Sequence, residues 1–402
     1  MRILHLSSEY PDELRPGTIM AIQRLVSCAE QFASNHVISL HRRAVSASQR
    51  VRRRGNHTIV CERGSWLPFR RRQFVEDATR TILSERLAEG FDLVHAHKVT
   101  TEGCIALRLR AELKLQYCVS VRATDFAMIR ENPHRNAEFL RVLSEATRIA
   151  VIAPWMVSRL SSAFGKRWTT AHEDKVIVLG NVVDGELLKR EQHNGRYVMP
   201  IRVIRSQLPR KNVLRTLKMV RALRDLGHDI QLDVIGGGTG MPLLKRWVSS
   251  LKLTQAVKLL GETPNSEVIK QLSYYKAVIL FSYPETFGLV YLEALHAGIP
   301  LLHARNTGVD GLFPGYRIGV SAPHDSAHLM SEALLQMEAG HALHRSEVRR
   351  LQDTGELSAF GSGAFTRRLA KSLYDAPFAP VSNAGPAAVA PQPASQWEQQ
   401  WS

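Results

Sequence analysis

Cysteine is scarce in this chain, long apolar runs are absent, and one nucleotide signature is missing. Each absence narrows what the protein does. The four cysteines, Cys28, Cys61, Cys104 and Cys118, include no C-x-x-C pair. A disulfide framework or a thiolate zinc site therefore has no pattern to rest on, and the thiols read as buried groups in a reducing compartment, the cytoplasm. No apolar run reaches the roughly 18 residues that a membrane-spanning helix needs. The opening MRILHL is too short for the apolar region of a secretory signal. The loop after the first strand-like segment lacks G-x-G-x-x-G, which excludes the NAD-type fingerprint.

What is present is size and positive charge. With 402 residues, 44% of them hydrophobic, the chain can build two domains with sizeable cores. Lys and Arg number 53 against 37 Asp and Glu, a formal net charge of +16. The excess concentrates where Arg42, Arg43, Arg50, Arg52, Arg53, Arg54, Arg63, Arg70, Arg71 and Arg72 are set against Glu62 alone. Such a patch suits nucleic acid, anionic lipid headgroups or a phosphorylated acceptor. Trp66, Leu67, Pro68 and Phe69 beside Arg70–Arg72 favour an interfacial, membrane-touching surface with Arg52–Arg54 and Arg70–Arg72 as its cations. A solvated loop is the plainer alternative. No nucleic-acid-binding module accompanies the charge, so nucleic acid is not the expected partner.

Hydrophobic patterning alternates between strand and helix. Strands are expected over 2–6, 36–40, 58–61, 91–97, 117–121, 149–152 and 176–179, with helices over 18–32 and 73–89. A polar linker at 185–200 precedes a second series, with strands at 201–205, 231–235, 257–260 and 277–281 and helices at 213–226, 242–251 and 266–274. Strand–helix alternation implies parallel sheets. The resulting division is a first Rossmann-like domain over 1–190, a second over 191–360, a helix over 361–375, and a Pro/Ala/Gln-rich tail over 376–402 that is expected to be disordered. His95 and His97 are expected on opposite sides of their strand, a poor metal pair.

The most informative stretch is FSYPETFGLVYLEALHAGIPLL, residues 281–302. An apolar strand runs into a turn carrying Glu285, and a helix follows whose first turns carry Glu293. A helix N-terminus offers N–H groups and positive dipole to a diphosphate. Gly288 removes a side chain where a ligand would approach the backbone. Carboxylates accept hydrogen bonds from hydroxyls, so Glu285 suits a donor sugar and Glu293 a ribose. The competing reading is a buried strand and helix with two solvated glutamates. Arg210 and Lys211 precede the helix over 213–226 and suit a diphosphate by charge, or else form a solvated cap.

The segment PETFGLVYLEALHAGIPLL resembles the E-x7-E signature of GT-B glycosyltransferases of family 4. The resemblance extends in order over residues 1–375, through FDLVHAH at 91–97, VRATDF at 121–126 and PRK at 209–211. It implies the α/β GT-B fold, two Rossmann-like parallel-sheet domains facing across a cleft, with a last helix crossing back to the first domain. It implies a retaining glycosyltransferase that moves a sugar from a nucleoside-diphosphate sugar to a glycan or lipid-linked acceptor in polysaccharide or glycolipid synthesis. The enzyme would be cytoplasmic, or peripheral on the inner face of the membrane, with no cofactor. D-x-D occurs nowhere, which argues against the metal-dependent alternative fold, and no metal is expected.

By the same resemblance Glu285, Arg210, Lys211 and Arg122 are the catalytic group. Glu293, Phe287, Gly288, Leu289, Gly236, Gly237 and Arg205 bind the donor, with Arg205 standing in for an arginine whose usual place is taken by Ser206. Thr307 and Gly308 approach phosphate, and Gly17, His97 and Asp125 lie on the acceptor side. Arg122 and Ala123 replace the His-Gly usual in the family. A fixed cation at that point suits a uronic acid donor, or turns aside to pair Asp125 or an acceptor phosphate. A catalytically weak binding protein, or an epimerase or synthase of the same fold, are the other readings.

Overall fold

The computed structural model describes residues 1–15, 20–43, 46, 49–63, 68–131, 135–183 and 185–374. Gly17, Trp66, Leu67 and the tail over 376–402 lie outside them. The chain divides into two compact units. One comprises Met1–Ile152, Met156–Val182 and the segment from Ser362; the other comprises Ala153–Trp155 and Val183–Gly361.

Unit 1 carries strands β1 (Arg2–Ser7), β2 (Ser34–Arg42), β3 (Val51–Arg54), β4 (His57–Glu62), β5 (Leu93–Ala96), β6 (Gln116–Val121), β7 (Ile149–Val151) and β8 (Val176–Val178). They form one sheet in the order β3-β4-β2-β1-β5-β6-β7-β8, parallel except where β3 pairs antiparallel with β4. The central strands are near-continuous buried runs, as sheets covered on both faces require. The helix Ser362–Arg368 and the turn Leu369–Tyr374 lay Phe365, Leu369, Leu373 and Tyr374 against Ile3, Leu25, Leu93, Cys118 and Ile177. Each such apolar side chain removed from water contributes about 2 kcal/mol.

The arginine segment is more structured than its composition suggests. Arg52, Arg53 and Arg54 form the edge strand β3, where charged side chains discourage pairing with another chain. Arg52 and Arg54 bind Glu13 at 2.8 and 2.6 Å, Arg53 binds Glu85 at 3.0 Å, and Arg72 binds Glu76 at 2.9 Å. Arg71 is half-buried against the Met128 thioether. The Arg70 side chain lies outside the described set. Part of the expected positive field is therefore met by carboxylates, Glu13 and Glu85 from elsewhere in the chain and Glu76 one turn along the same helix. Among the described residues no helix is long and apolar enough to cross a membrane.

Unit 2 carries β9 (Tyr197–Pro200), β10 (Leu232–Ile235), β11 (Val257–Gly261), β12 (Ala277–Leu280), β13 (Leu301–Ala304) and β14 (Gly319–Ala322). They form a parallel sheet in the order β11-β10-β9-β12-β13-β14. Its first strand corrects the sequence reading: it lies inside the expected linker, not at 201–205. Tyr197, Val198 and Met199 are fully buried between β10 and β12. The alternating Ile201-Arg202-Val203 imitates a strand but is a loop whose Val203 N–H donates to Gly237 O at 2.9 Å.

Candidate functional site

In unit 2 the sheet order reverses between β9 and β12. At such a reversal the chain leaves neighbouring strands in opposite directions and opens a crevice outside their carboxyl ends, where α/β folds bind ligands. After β9 the chain passes through a short 3₁₀ turn, Arg205–Gln207, to Arg210, Lys211 and the helix Val213–Asp225. After β12 it passes through Ser282 and Glu285 to the helix Leu289–His296. Two helix N-termini and the expected catalytic residues Arg210, Lys211 and Glu285 thus belong to segments that leave the two strands flanking the switch point.

Lys211 Nζ donates to Glu285 Oε2 at 2.8 Å, and Ser282 Oγ donates to the same oxygen at 2.9 Å. The side chains of Lys211 and Glu285 are only 17% and 13% exposed. Burial pushes the Glu285 pKa up, but the Lys211 charge and hydrogen bond, the Ser282 hydroxyl and the Arg210 charge outweigh it and hold the carboxyl below its ordinary value. The group is therefore ionised at neutral pH, and both contacts fall on Oε2, leaving Oε1 for a ligand hydroxyl. The expectation of solvated glutamates fails for Glu285, because the pairing needs Lys211 from a distant turn.

The turn is clamped from several sides. Glu285 N–H donates to Thr307 Oγ1 at 2.8 Å, Thr307 Oγ1 donates to Glu285 O at 2.8 Å, and Gly308 N–H donates to the same carbonyl at 2.9 Å. Thr307, expected at phosphate, thus spends its hydroxyl holding the Glu285 backbone. Asn212, at the N-cap of the helix Val213–Asp225, donates to Phe281 O at 2.7 Å and His324 O at 3.0 Å, tying the two loops together. Neither Asn212 nor Ser282 was singled out in the sequence; an Asn before a helical run was the signal for the first.

The other donor-side residues divide. Glu293 is half-buried in the first turns of its helix, Leu289 is its first residue, and Arg205 is exposed. The Phe287 side chain is 1% exposed and packs on Phe360. Gly288 caps the helix in the left-handed region at φ 73°. Gly236 and Gly237 serve backbone passage. Gly236 N–H meets Gly261 O at 2.6 Å, and a Cβ on Gly236 would lie 1.8 Å from Ile201 O.

Unit 1 has its own reversal, between β1 and β5. Lys98 Nζ pairs with Glu9 Oε1 at 2.7 Å there, and Glu102 Oε1 accepts from Ser8 N–H and Oγ at 2.7 and 2.8 Å. Glu9, Lys98 and Glu102 were missed because they converge only through the turns after two strands. Arg122 is buried and its Nε donates to His97 O at 3.4 Å. Burial lowers its pKa, opposed by Glu9, Asp125 and Glu102. Those carboxylates partly balance the Arg122 charge, while its Nη2 is buried without a hydrogen-bond partner. Asp125 does not bond the Arg122 guanidinium. Its carboxylate accepts from Arg122 N–H at 2.8 Å, Thr100 N–H at 3.2 Å and Thr100 Oγ1 at 2.8 Å, closing the N-terminus of the helix Ala123–Glu131.

His97 is fully buried, and its relation to His95 corrects the sequence reading. Residues two apart on a strand share a face, and the two rings stack at 4.1 Å, with His5 stacked on His97 at 5.3 Å. The three bring ligand nitrogens within 4.8 Å of one another. The His5–His97 and His95–His97 rings lie 18° and 28° from parallel, and His5–His95 45°. Both nitrogens of His5 are bonded, to His97 Nε2 at 3.1 Å and Asn35 at 2.8 Å, and both of His95, to Tyr374 at 2.6 Å and Ser120 at 2.8 Å.

Burial lowers the His5 pKa to about 4 and those of His95 and His97 well below the ordinary 6.5, with neighbouring histidines and Arg122 adding to the shift in the latter two. Below pH about 6.5 the unfolded chain takes up protons that the folded one refuses, so stability falls as pH drops through that window. Burial raises the pKa of nearby Glu102 and Asp125, which opposes the fall at lower pH. His97→Gln is expected to reduce the slope of unfolding free energy between about pH 6.5 and 5 by about 1 kcal/mol per pH unit. Urea unfolding of both proteins across that range checks this; equal slopes would refute it.

The family model for glycosyl transferases group 1 matches residues 200–350, which contain the whole unit 2 crevice. An uncharacterized glycosyltransferase, YqgM of Bacillus subtilis, is 23% identical over 379 residues, covering 90% of this chain and 93% of that protein. A GDP-mannose-dependent alpha-(1-6)-phosphatidylinositol monomannoside mannosyltransferase of Mycolicibacterium smegmatis is 26% identical over 182 residues, 42% of this chain and 47% of that protein. Among solved structures, sucrose-phosphate synthase from Thermosynechococcus elongatus superposes with a TM-score of 0.68 at 17% identity, over 93% of this chain and 98% of that one. Anabaena HepE in complex with UDP and glucose gives 0.63 at 16% identity, over 93% and 99%. The fold is GT-B.

Proposed function

We propose, from the match of residues 200–350 to the glycosyl transferases group 1 family, that unit 2 binds a nucleoside-diphosphate sugar at the β9/β12 switch point. The enzyme then transfers the sugar, with retention of configuration, to a glycan or lipid-linked acceptor. The observation that carries this reading is the Lys211–Glu285 pair, a shielded carboxylate kept ionised beside two helix N-termini. Glu285 Oε1 accepts from hydroxyls of the donor sugar and orients it. Arg210, Lys211 and the N–H groups at the start of the helices Val213–Asp225 and Leu289–His296 meet the charge that grows on the leaving diphosphate. Glu293, farther along its helix, accepts from the ribose.

HepE binds UDP-glucose and the mycobacterial relative depends on GDP-mannose, so UDP and GDP sugars are the donors to test first. A thermal-shift and turnover screen against both sets decides the matter. Stabilisation by one donor, with sugar release or transfer, supports the proposal; no stabilisation and no product from any of them overturns it. A lipid-linked acceptor would place the enzyme on an anionic membrane, with Arg52–Arg54 and Arg71–Arg72 toward the headgroups. Because several of these are already paired, the expected binding is weak and salt-sensitive. Flotation with anionic vesicles at low salt tests it, and absence of any binding there would leave a soluble acceptor.

A further inference from the structure

Unit 2 holds a second group of cations, away from the crevice just described. His193 and Arg196 lie just before β9 and Lys276 just before β12, so the group sits at the amino ends of strands whose carboxyl ends carry Glu285 and Lys211. The long helix Ala327–Asp353 passes these ends and supplies Glu338, His341, Arg345 and Arg349.

Arg345 is the centre of the group. It is 93% buried by exposure, at 7% relative surface. Its Nη2 donates to Arg190 O, which also accepts from Arg349 Nη2 at 3.1 Å. Its Nε and Nη1 are buried without a hydrogen-bond partner. A guanidinium cannot shed its charge to escape such a position, and an unmet buried N–H is costly. The surroundings add positive charge. Burial, then His341, Arg345 and Lys276, lower the His193 pKa; burial, Lys276 and Arg345 lower that of His341.

The acids nearby are committed. Glu338 binds Lys276 and Tyr197, and Glu191 pairs with Arg349 at 3.1 Å on the surface. His193 and His341 meet edge to face at 4.9 Å. His341 Nε2 donates to Lys276 O at 2.9 Å and His193 Nδ1 accepts from Gly195 N–H at 3.0 Å. Each ring thereby keeps one further nitrogen for another partner.

We propose that Arg345, His193 and His341 form a binding site for a phosphate-type oxyanion on unit 2, separate from the donor crevice. A tetrahedral anion accepts from several donors at once, and this group offers two unmet Arg345 nitrogens and one further nitrogen on each of two adjoining imidazoles. A planar carboxylate, with two oxygens, meets fewer of them. Anion binding favours the protonated imidazoles, so it takes up protons and strengthens as pH falls.

The test is unfolding of the full chain with inorganic phosphate against chloride at matched ionic strength. About 20 mM phosphate is expected to raise the unfolding temperature by about 3 °C near pH 6 and by less than half of that near pH 8. Arg345→Gln is expected to abolish the shift. His193→Gln, at a half-exposed position, is expected to remove most of its pH dependence. Lys211→Ala, which disables the donor crevice, is expected to leave the shift in place. The proposal is overturned if phosphate gives no shift in the native chain, if His193→Gln leaves the pH dependence unchanged, or if Lys211→Ala removes the shift. The last result would assign the phosphate to the donor crevice and leave the proposed function standing.

Discussion

Glu285→Gln is expected to lower sugar transfer by about 100-fold or more while the protein stays folded. Glutamine keeps the length and one oxygen of glutamate, so Lys211 and Ser282 retain a partner. What it removes is the charge that holds donor hydroxyls during transfer. The loss of about 2.7 kcal/mol of transition-state stabilisation corresponds to that factor in rate. Glu285→Ala is expected to behave differently, because it also strands Lys211, which is only 17% exposed. Breaking a buried pair from one side costs about 3–5 kcal/mol, so alanine lowers the urea midpoint as well as the rate. Initial rates with the donor found by screening, together with unfolding curves of both variants, separate the effects. A glutamine variant with near-native rates would remove Glu285 from the chemistry.

Gly288→Ala is expected to cost more in stability than any other single methyl addition on this turn. At φ 73° the residue lies where L side chains are strained, and a Cβ would meet two Tyr291 ring carbons at 2.4 and 2.5 Å and Glu285 Cγ at 3.3 Å. Tyr291 cannot easily move aside. Its ring is buried and its hydroxyl donates to Leu280 O at 2.7 Å, at the end of β12. Backbone strain of about 1–2 kcal/mol adds to an overpacking cost of about 1–3 kcal/mol. The unfolding temperature should drop by about 10 °C. Gly227→Ala is the control, since Gly227 has φ 90° but nothing within 4 Å of its Cβ position. If the two variants melt together, crowding by Tyr291 is not what keeps a glycine at 288. The displaced Glu285 turn should also lower transfer beyond the loss explained by unfolding.

Strand existence was readable where the strand is buried on both faces. Ala277–Leu280 is a continuous apolar run and Leu232–Ile235 is apolar but for Asp233, a pattern that suits a covered parallel sheet. Strand β9 was misplaced because a buried run ending in Pro200 and an alternating loop directly after it carry similar local signals. Edge strand β3 escaped notice because Val51–Arg54 is almost all arginine, and its place at the sheet edge depends on β4 beside it.

The candidate site divides along the same line. Local sequence determined that a glutamate follows β12, that a basic pair precedes the helix Val213–Asp225, and that a glycine caps the helix Leu289–His296, since each is a property of a few adjacent residues. Only the tertiary structure decided that Lys211 reaches Glu285 across 74 positions of chain, that Thr307 grips the same turn, and that Phe287 is packing. It likewise brought His5 onto His97 and left Arg345 with unmet donors. Such pairings depend on which strands lie side by side, and sheet order is set by burial summed over the whole unit, which no short stretch of sequence contains.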